Sequence, residues 1–222
     1  MGNFDIDFFI KLIPLMSKYL LVTLKVSVLA LIIGIIISLI IAIVVHMKIK
    51  ILTPIFNVWI SFFRGTPLVA QLFFFYFGMV QLFPRLTSMS AFTAAVITIG
   101  FNSSAYMAET LRGALLSVDR GQMEAALSLG MKKIQSMRYI ILPQAIRVAV
   151  PALSNSFCDI IKGSSLAFTI GVTEIMATAQ MEGASSYRFL ESYTAVILMY
   201  WAIVSLLTYV QRKLEIRLSL KY

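Results

Sequence analysis

A cluster of polar side chains interrupts a long apolar stretch of the sequence. Asn102, Ser103 and Tyr106 lie within residues 86–108, which carry no charge. Amide and hydroxyl groups of this kind can replace the water around a small polar molecule and fix its orientation. Small polar side chains in apolar helices also hydrogen-bond between helices. Both interpretations, a binding site and helix packing, stay open from these residues alone.

Two pairs of opposite charges stand at the spacing of one helical turn. Asp159 and Lys162 lie inside the apolar residues 148–173, and Glu109 and Arg112 follow the polar cluster. Side chains three residues apart on a helix can pair, and charges inside apolar segments face protein or water rather than lipid. The first pair could bind a carboxylate through the lysine and an amine through the aspartate, or it could fix helix packing. The second pair, at the end of its apolar stretch, could simply pair at the rim of the membrane.

A third group combines small side chains with a glycine and a proline at fixed spacing. Glu-Ala-Ala at residues 124–126 is followed by Gly130, and nine residues separate this glycine from Ile-Ile-Leu-Pro at residues 140–143. The pattern predicts a short helix that ends at Gly130 in the left-handed conformation, and a second helix that Pro143 stops. The two alanines leave a face that another protein can approach closely.

The composition places these groups in an integral membrane protein. Of the 222 residues, 59% are hydrophobic and 13% are charged, and the mean hydropathy is +0.89. Soluble domains are about half apolar and about a quarter charged, so lipid must cover much of this surface. One cysteine, Cys158, and one histidine, His46, exclude an internal disulfide and offer no metal cluster. The basic residues are not clustered with aromatic residues, which argues against nucleic acid as a partner.

Four apolar stretches are long enough to cross a membrane as helices, which takes about 20 residues. They are residues 26–45, 65–83, 86–108 and 192–211. We predict a fifth span at residues 148–173 in spite of its two charges, with an irregular outer end that runs into residues 171–186. The fold class is therefore all-α, with about five transmembrane helices.

The charged residues outside the spans predict how the chain is oriented. Most of the 19 basic residues fall in the connections after the first and third spans and in the tail at residues 211–222. Because basic residues accumulate on the cytoplasmic side, the N-terminus is expected outside and the C-terminus in the cytoplasm. Residues 1–18 carry charges and a proline where a cleavable signal would have a clean apolar core. We expect an amphipathic segment at the membrane interface there, rather than disorder.

The spacing at residues 124–143 resembles the cytoplasmic coupling signature of ABC importer permeases, Glu-Ala-Ala-x3-Gly-x9-Ile-x-Leu-Pro, at every fixed position. Residues 64–72, 105–113, 155–157 and 162–166 resemble segments of polar amino-acid permeases, and the resemblance covers about residues 19–210. One position departs from the pattern, because Gly163 stands where the family commonly has an acidic residue. Asp159 is the alternative partner for Lys162.

The resemblance implies a type I ABC importer permease, with residues 19–210 as its transmembrane domain. In that family, the loop at about residues 120–143 docks on a separate ATPase subunit. The coupling residues would be Glu124, Ala125, Ala126, Gly130, Leu142 and Pro143. The solute path would be lined by Asn102, Ser103, Tyr106, Glu109, Asp159 and Lys162. Residues 165–176 look most like those of L-cystine permeases, although other polar amino acids remain open.

The implied protein is not an enzyme and holds no cofactor, because ATP and Mg²⁺ would bind to the partner ATPase. Its other expected partners are an extracytoplasmic solute-binding protein, a second permease copy or paralogue, the amino acid and membrane lipid. It would lie in the bacterial cytoplasmic membrane. A secondary transporter or channel is the alternative, but the sequence shows neither inverted repeats nor a dense relay of intramembrane charges. A membrane enzyme would need catalytic groups that one histidine and one cysteine do not provide.

The charge bias generates a test of topology. In a Cys158→Ser background, the substitution Ser88→Cys should react with an impermeant thiol reagent added to intact cells, because residue 88 lies outside. The substitution Ser219→Cys should react only after the cells are permeabilised. The Cys158→Ser protein alone serves as the blank. Labelling of both positions in intact cells would refute the five-span orientation.

Overall fold

A computed structural model describes residues 4–219, with side chains as far as Lys213, and every regular element in that range is helical. Parts of the predicted terminal segments, residues 1–3 and 220–222, lie outside the described residues. The α-helices are α1 Ile6–Ser17, α2 Leu20–His46, α3 Leu52–Gly65, α4 Leu68–Phe73, α5 Met79–Leu82, α6 Ala91–Leu116, α7 Arg120–Ser128, α8 Lys133–Ser136, α9 Leu142–Ser164, α10 Ile175–Ser186 and α11 Phe189–Ser219. Two π-helical turns, Phe74–Gly78 and Met137–Ile141, and two 3₁₀ segments, Pro84–Ser88 and Ser165–Ile170, join some of them.

Helix α6 is the centre of the fold, because it packs against α2, α3, α4 and α9. Its approach to α2 is close enough to require small residues. A Cβ atom added to Gly100 would lie 2.8 Å from Cγ2 of Ile33 and 3.2 Å from the carbonyl oxygen of Ala30. Small residues let helix backbones approach in this way and are typical of membrane helix interfaces.

Two of the described helices, α2 and the residues Phe189–Lys213 of α11, are long and apolar enough to cross a membrane. There are up to four candidate spans if each of two bent helix pairs counts as one. Helix α6 has 26 residues, which is roughly 39 Å and exceeds the hydrocarbon core of about 30 Å. It is less apolar than α2 because much of its surface contacts protein rather than lipid.

The predicted span at residues 65–83 is wrong in its geometry. The chain is already helical from Leu52, where the sequence predicts a connection, and it bends by 111° between α3 and α4. Thr66 takes an extended conformation with φ of −123° and ψ of 147°, as expected for the residue before a proline. The predicted start of the span at residue 65 is therefore the end of a helix, because α3 stops at Gly65 ahead of Pro67. The predicted span at 86–108 also starts later, with Ser90 capping α6 through its hydroxyl.

The predicted fourth span differs in two respects. Pro143 does not stop a helix but lies in the first turn of α9, directly after the π-helical turn Met137–Ile141. A π-helical turn changes the hydrogen-bonding pattern, and a proline in the first turn lacks only an N–H that would be unsatisfied there. Only residues 171–174 are irregular, beginning at Gly171 with its left-handed φ of +94°, and Ile175–Ser186 form the regular helix α10.

Within the predicted N-terminal segment, Ile6–Ser17 form helix α1, whose inner face packs against α10 and α11 through the buried residues Leu12 and Met16. Asp5 caps the helix by accepting a hydrogen bond from the N–H of Phe8 at 2.9 Å. That bond, together with the nearby Arg188 guanidinium, holds the pKa of the Asp5 carboxyl below its usual value. Arg188 pairs with Asp5 at 2.8 Å, so α1 is fastened to the start of α11. The interfacial position of α1 stays a prediction.

A fully buried carboxylate joins α2, α10 and α11. Glu174 caps α10 by accepting the N–H of Ala177 at 3.0 Å, and it also accepts hydrogen bonds from Thr23 at 3.2 Å and from the Tyr200 hydroxyl at 2.8 Å. The same Thr23 hydroxyl accepts the N–H of Ile175 at 3.5 Å. A buried carboxylate is tolerated only where such donors surround it, so the three helices depend on one another here.

Replacing this carboxylate should destabilise the protein. Glu174→Ala would leave the Tyr200 hydroxyl and the N–H of Ala177 without their acceptor, at a cost of about 1–3 kcal/mol for each group. Tyr200→Phe removes one donor and should cost less. Glu182→Ala on the same helix is the matched control, since the Glu182 carboxylate is not part of this cluster. Thermal melting of the purified protein in detergent measures the effect, and equal melting temperatures for the two alanine variants would contradict it.

Candidate functional site

Four of the predicted solute-path residues converge on one cavity of about 260 Å³. This volume lies below the range of roughly 300–1,000 Å³ that is typical of drug-sized ligands, and it fits a small solute. The cavity lies between α4, α6 and α9. Its lining residues are Leu68, Ile99, Asn102, Ser103, Tyr106, Ser156, Asp159, Ile160 and Gly163.

The amide group of Asn102 is already engaged by the protein. Its Nδ2 donates to the carbonyl oxygen of Phe63 at 3.0 Å and to Oε1 of Gln71 at 2.9 Å. Phe63 lies in the last turn of α3, whose final carbonyls have no partner within the helix. Asn102 therefore stabilises the bend between α3 and α4, although it also borders the cavity.

Gln71 is a further polar residue of this site, and no role for it was predicted from the sequence. It is 3% exposed, and its Nε2 lies 3.1 Å from the carbonyl oxygens of both Phe63 and Thr66. The Thr66 hydroxyl in turn donates to the carbonyl of Phe62 at 2.8 Å. A glutamine four residues after a proline in an apolar segment is the sequence signal, because carbonyls freed by a helix break need donors.

Tyr106 and Glu109 are linked through Arg64. The guanidinium carbon of Arg64 lies 5.6 Å from the centre of the Tyr106 ring, and its Nη1 lies 3.8 Å from Oε2 of Glu109. Glu109 also pairs with Arg112 at 2.7 Å. The side chain of Arg64 therefore contacts two residues on the polar face of α6.

Glu109 is separated from the first cavity. It borders a second cavity of about 440 Å³ together with Arg112 and residues from the end of α2. The structure thus brings Asn102, Ser103, Tyr106 and Asp159 together and places Glu109 one turn further along α6.

Asp159 and Lys162 form the predicted pair, with Oδ1 and Nζ separated by 2.8 Å. Their side chains are 73% and 58% exposed, so the pair does not lock two helices together. Asp159 borders the cavity, whereas Lys162 pairs with Asp159 but is not part of the lining. An exposed pair adds little stability, and both groups are accessible to a solute.

The loop between α6 and α9 has the predicted helix and cap. Helix α7 ends at Ser128, and Gly130, two residues later, has a φ of +80°. The N–H of Met131 donates to the carbonyl of Ala126 at 3.1 Å, and the N–H of Gly130 donates to that of Leu127 at 3.0 Å. This is the hydrogen-bonding pattern of a left-handed helix cap. The prediction for the conformation of Gly130 is confirmed.

The outward face of this loop combines small, acidic and apolar side chains. Glu124 and Ala125 are exposed, whereas Ala126 is buried against the rest of the protein. Leu129 and Ile134 are 85% and 81% exposed. Large apolar side chains this exposed on one surface are typical of contact sites for another protein. Leu142 and Pro143 are also exposed, at the start of α9.

Comparison with known proteins assigns these features to a family. A family model described as "Binding-protein-dependent transport system inner membrane component" matches residues 34–220. The chain belongs to this family. It also matches a solved structure described as an amino acid ABC transporter with histidines, with a TM-score of 0.90 and 36% identity over 97% of this chain and 100% of that one. The chain therefore has the all-helical type I ABC permease fold.

Curated relatives narrow the class to amino-acid ABC permeases. The chain is 48% identical to the probable amino-acid ABC transporter permease protein PatM of Vibrio harveyi, over 99% of both chains. It is 39% identical to the glutamine permease GlnP of Escherichia coli K12, over 94% of both chains. It is 36% identical to the L-cystine permease TcyL of Bacillus subtilis, over 97% of this chain and 92% of that one. This protein is an amino-acid ABC transporter permease, a non-catalytic component of a transport complex.

The two interpretations of Asn102 make different predictions. If its amide serves the bend between α3 and α4, Asn102→Ala should lower the melting temperature and leave the amino-acid preference unchanged. Ser103→Ala, a substitution of the neighbouring residue on the same cavity, is the control for the melting temperature. Uptake competition by a panel of amino acids, run beside detergent melting, measures both properties. A changed competition profile at an unchanged melting temperature would show that Asn102 contacts the solute instead.

Proposed function

We propose that this chain forms the translocation path of an ATP-driven amino-acid importer in the bacterial cytoplasmic membrane and couples it to a separate ATPase. The observation that carries the proposal is the left-handed cap of Gly130, which rigidly ends α7 and leaves Leu129 and Ile134 exposed beside it. In this arrangement two ATPase subunits bind ATP and Mg²⁺ and contact the loop, and an extracytoplasmic binding protein delivers the solute. The permease works with a second copy or a paralogue.

The proposed topology has five spans, with the N-terminus outside and the C-terminus in the cytoplasm. It counts α2, the bent pair of α3 with α4 and α5, α6, α9 and α11. Support comes from the two apolar helices and two bent pairs, from the length of α6 and from the basic residues that accumulate on one side. Helix α10 extends the fourth span across a bend of 51°.

The proposed solute path runs along the polar face of α6. Ser103, Tyr106 and Asp159 border the cavity, and the pair of Asp159 with Lys162 offers one group for each charge of a zwitterionic amino acid. Glu109 lies further along the same helix, beside Arg112. Asn102 shapes the path by fixing the bend in α3 and α4.

L-cystine is the proposed solute, with glutamine as the competing assignment. The similarity of residues 165–176 to cystine permeases and the match to TcyL support cystine, whereas GlnP is more similar over the chain as a whole. Residues 165–176 do not border the 260 Å³ cavity. The cystine assignment therefore rests on sequence similarity rather than on groups that face the solute. The family match disfavours a secondary transporter or channel.

The coupling role is tested at Gly130. A valine there would have to adopt a left-handed φ, which costs L-residues about 1–2 kcal/mol, and its side chain would crowd the docking face. Gly130→Val should remain in the membrane but lose uptake and stimulation of the ATPase. Gly113→Val is the control, because a Cβ at Gly113 also meets no atom within 4 Å but the backbone is an ordinary α-helix.

Uptake by membrane vesicles and ATP hydrolysis by the co-purified complex are the measurements. Normal transport and normal ATPase stimulation in Gly130→Val would refute the docking assignment. Failure of the wild-type chain to co-purify with any ATPase would refute the proposed function itself. Competition of uptake by cystine, glutamine and histidine identifies the solute.

A further inference from the structure

An apolar groove runs along the protein between α2, α6 and α9. Its volume is about 360 Å³, and its lining includes Ala42, Leu115, Leu142 and Ala145. Among the described residues, His46 at the end of α2 is the only polar side chain on its lining. A groove of this kind beside membrane-spanning helices offers room for a hydrocarbon chain rather than for a polar solute.

The groove opens at His46 into a wider mouth that is lined by basic groups. This mouth has a volume of about 870 Å³, and Lys48, Lys133 and Arg138 contribute to its lining. No aspartate or glutamate lines it among the described residues. Lys48 and Lys133 form no ion pair with a described carboxylate, and the acidic residue of the adjoining 440 Å³ cavity, Glu109, is already paired with Arg112. The mouth therefore has an excess of positive charge.

We propose that this groove and its mouth bind one anionic phospholipid. An acyl chain lies between α2, α6 and α9, and the phosphate lies against Lys48 and Lys133. Basic pockets between membrane helices on the cytoplasmic side bind anionic headgroups, and the apolar groove continues directly from the basic mouth. The inference rests on the proposed orientation, which places the ends of α2 and the start of α9 at the cytoplasmic surface, where anionic lipids are available.

The position of the lipid connects it to the coupling loop. Lys133 belongs to α8, and Arg138 belongs to the π-helical turn that joins α8 to α9. The same π-helical turn packs against α7. A headgroup between Lys48 and Lys133 bridges the end of α2 to the segment that holds the docking helix. The lipid thus stabilises the orientation of the coupling loop relative to the membrane helices.

The experiment uses the permease purified with its co-expressed partners in detergent, without ATP. Phosphatidylglycerol is titrated against phosphatidylcholine with the same acyl chains, and native mass spectrometry and thermal melting report binding. Phosphatidylglycerol should bind more tightly and raise the melting temperature more. Each lysine near a lipid surface contributes about fivefold in affinity, so Lys48→Gln with Lys133→Gln should weaken phosphatidylglycerol binding by roughly 25-fold and abolish the preference.

Two further variants locate the site. Lys50→Gln is the charge control, since Lys50 is exposed nearby but lines neither the groove nor its mouth. It should keep the preference. Ala42→Phe fills the groove while leaving every charge in place, and it should also weaken binding of phosphatidylglycerol. Soluble glycerol phosphate should not compete, because it has no chain for the groove.

The proposal is overturned if both lipids bind equally, if Lys50→Gln lowers affinity as much as the double variant does, or if glycerol phosphate displaces the lipid. It is also overturned if phospholipid binds the isolated permease but not the complex, because the mouth would then be covered by an ATPase or a second permease. Lipid binding is measured without transport. A failed lipid test therefore leaves the proposed importer function intact. A failure to co-purify with an ATPase would refute that function, and it is observed in a separate experiment.

Discussion

The structure depends on one constraint, which is that every main-chain polar group at membrane depth needs a partner within the protein. At two of the helix breaks among the described residues, after α3 and before α10, side chains satisfy the main-chain groups that the break exposes. After α3, the amides of Gln71 and Asn102 donate to freed carbonyl oxygens. Before α10, the oxygens of Glu174 and Thr23 accept freed N–H groups. Side-chain donors therefore lie at the C-terminal end of α3, and side-chain acceptors lie at the N-terminal end of α10.

These partners explain why α6 is both the structural centre and the bearer of the candidate site. Gly100 lets α2 approach α6, and two residues later Asn102 reaches the bend after α3. Tyr106 follows one turn later at the cavity. Residues that hold the neighbouring helices in place and residues that border the cavity therefore lie close together on a single helix, and Asn102 does both. A change in the packing of α6 therefore changes the shape of the cavity as well.

Local rules predicted the features that depend on neighbouring residues, such as the cap at Gly130 and the pair of Asp159 with Lys162. They did not predict the 111° bend, because hydropathy reports how apolar a segment is and contains no information on its direction. They also could not assign the amide of Asn102, since its acceptor on Phe63 is 39 residues away in sequence. Pro143 was misinterpreted for a related reason, because whether a proline stops or starts a helix depends on the preceding turn.

Gly100 and Gly130 cannot be replaced by other residues without a cost, and the physical reason differs between the two. At Gly100 the limit is space, because a Cβ would meet Ile33 and the backbone of α2. At Gly130 no atom lies within 4 Å of an added Cβ, so the limit is handedness. The left-handed backbone region is the mirror image of the one that L-residues prefer. A D-alanine introduced by peptide ligation would fit Gly130 without strain. The loop between α7 and α8 thus depends on a stereochemical requirement that, among the natural amino acids, glycine meets best because it is achiral.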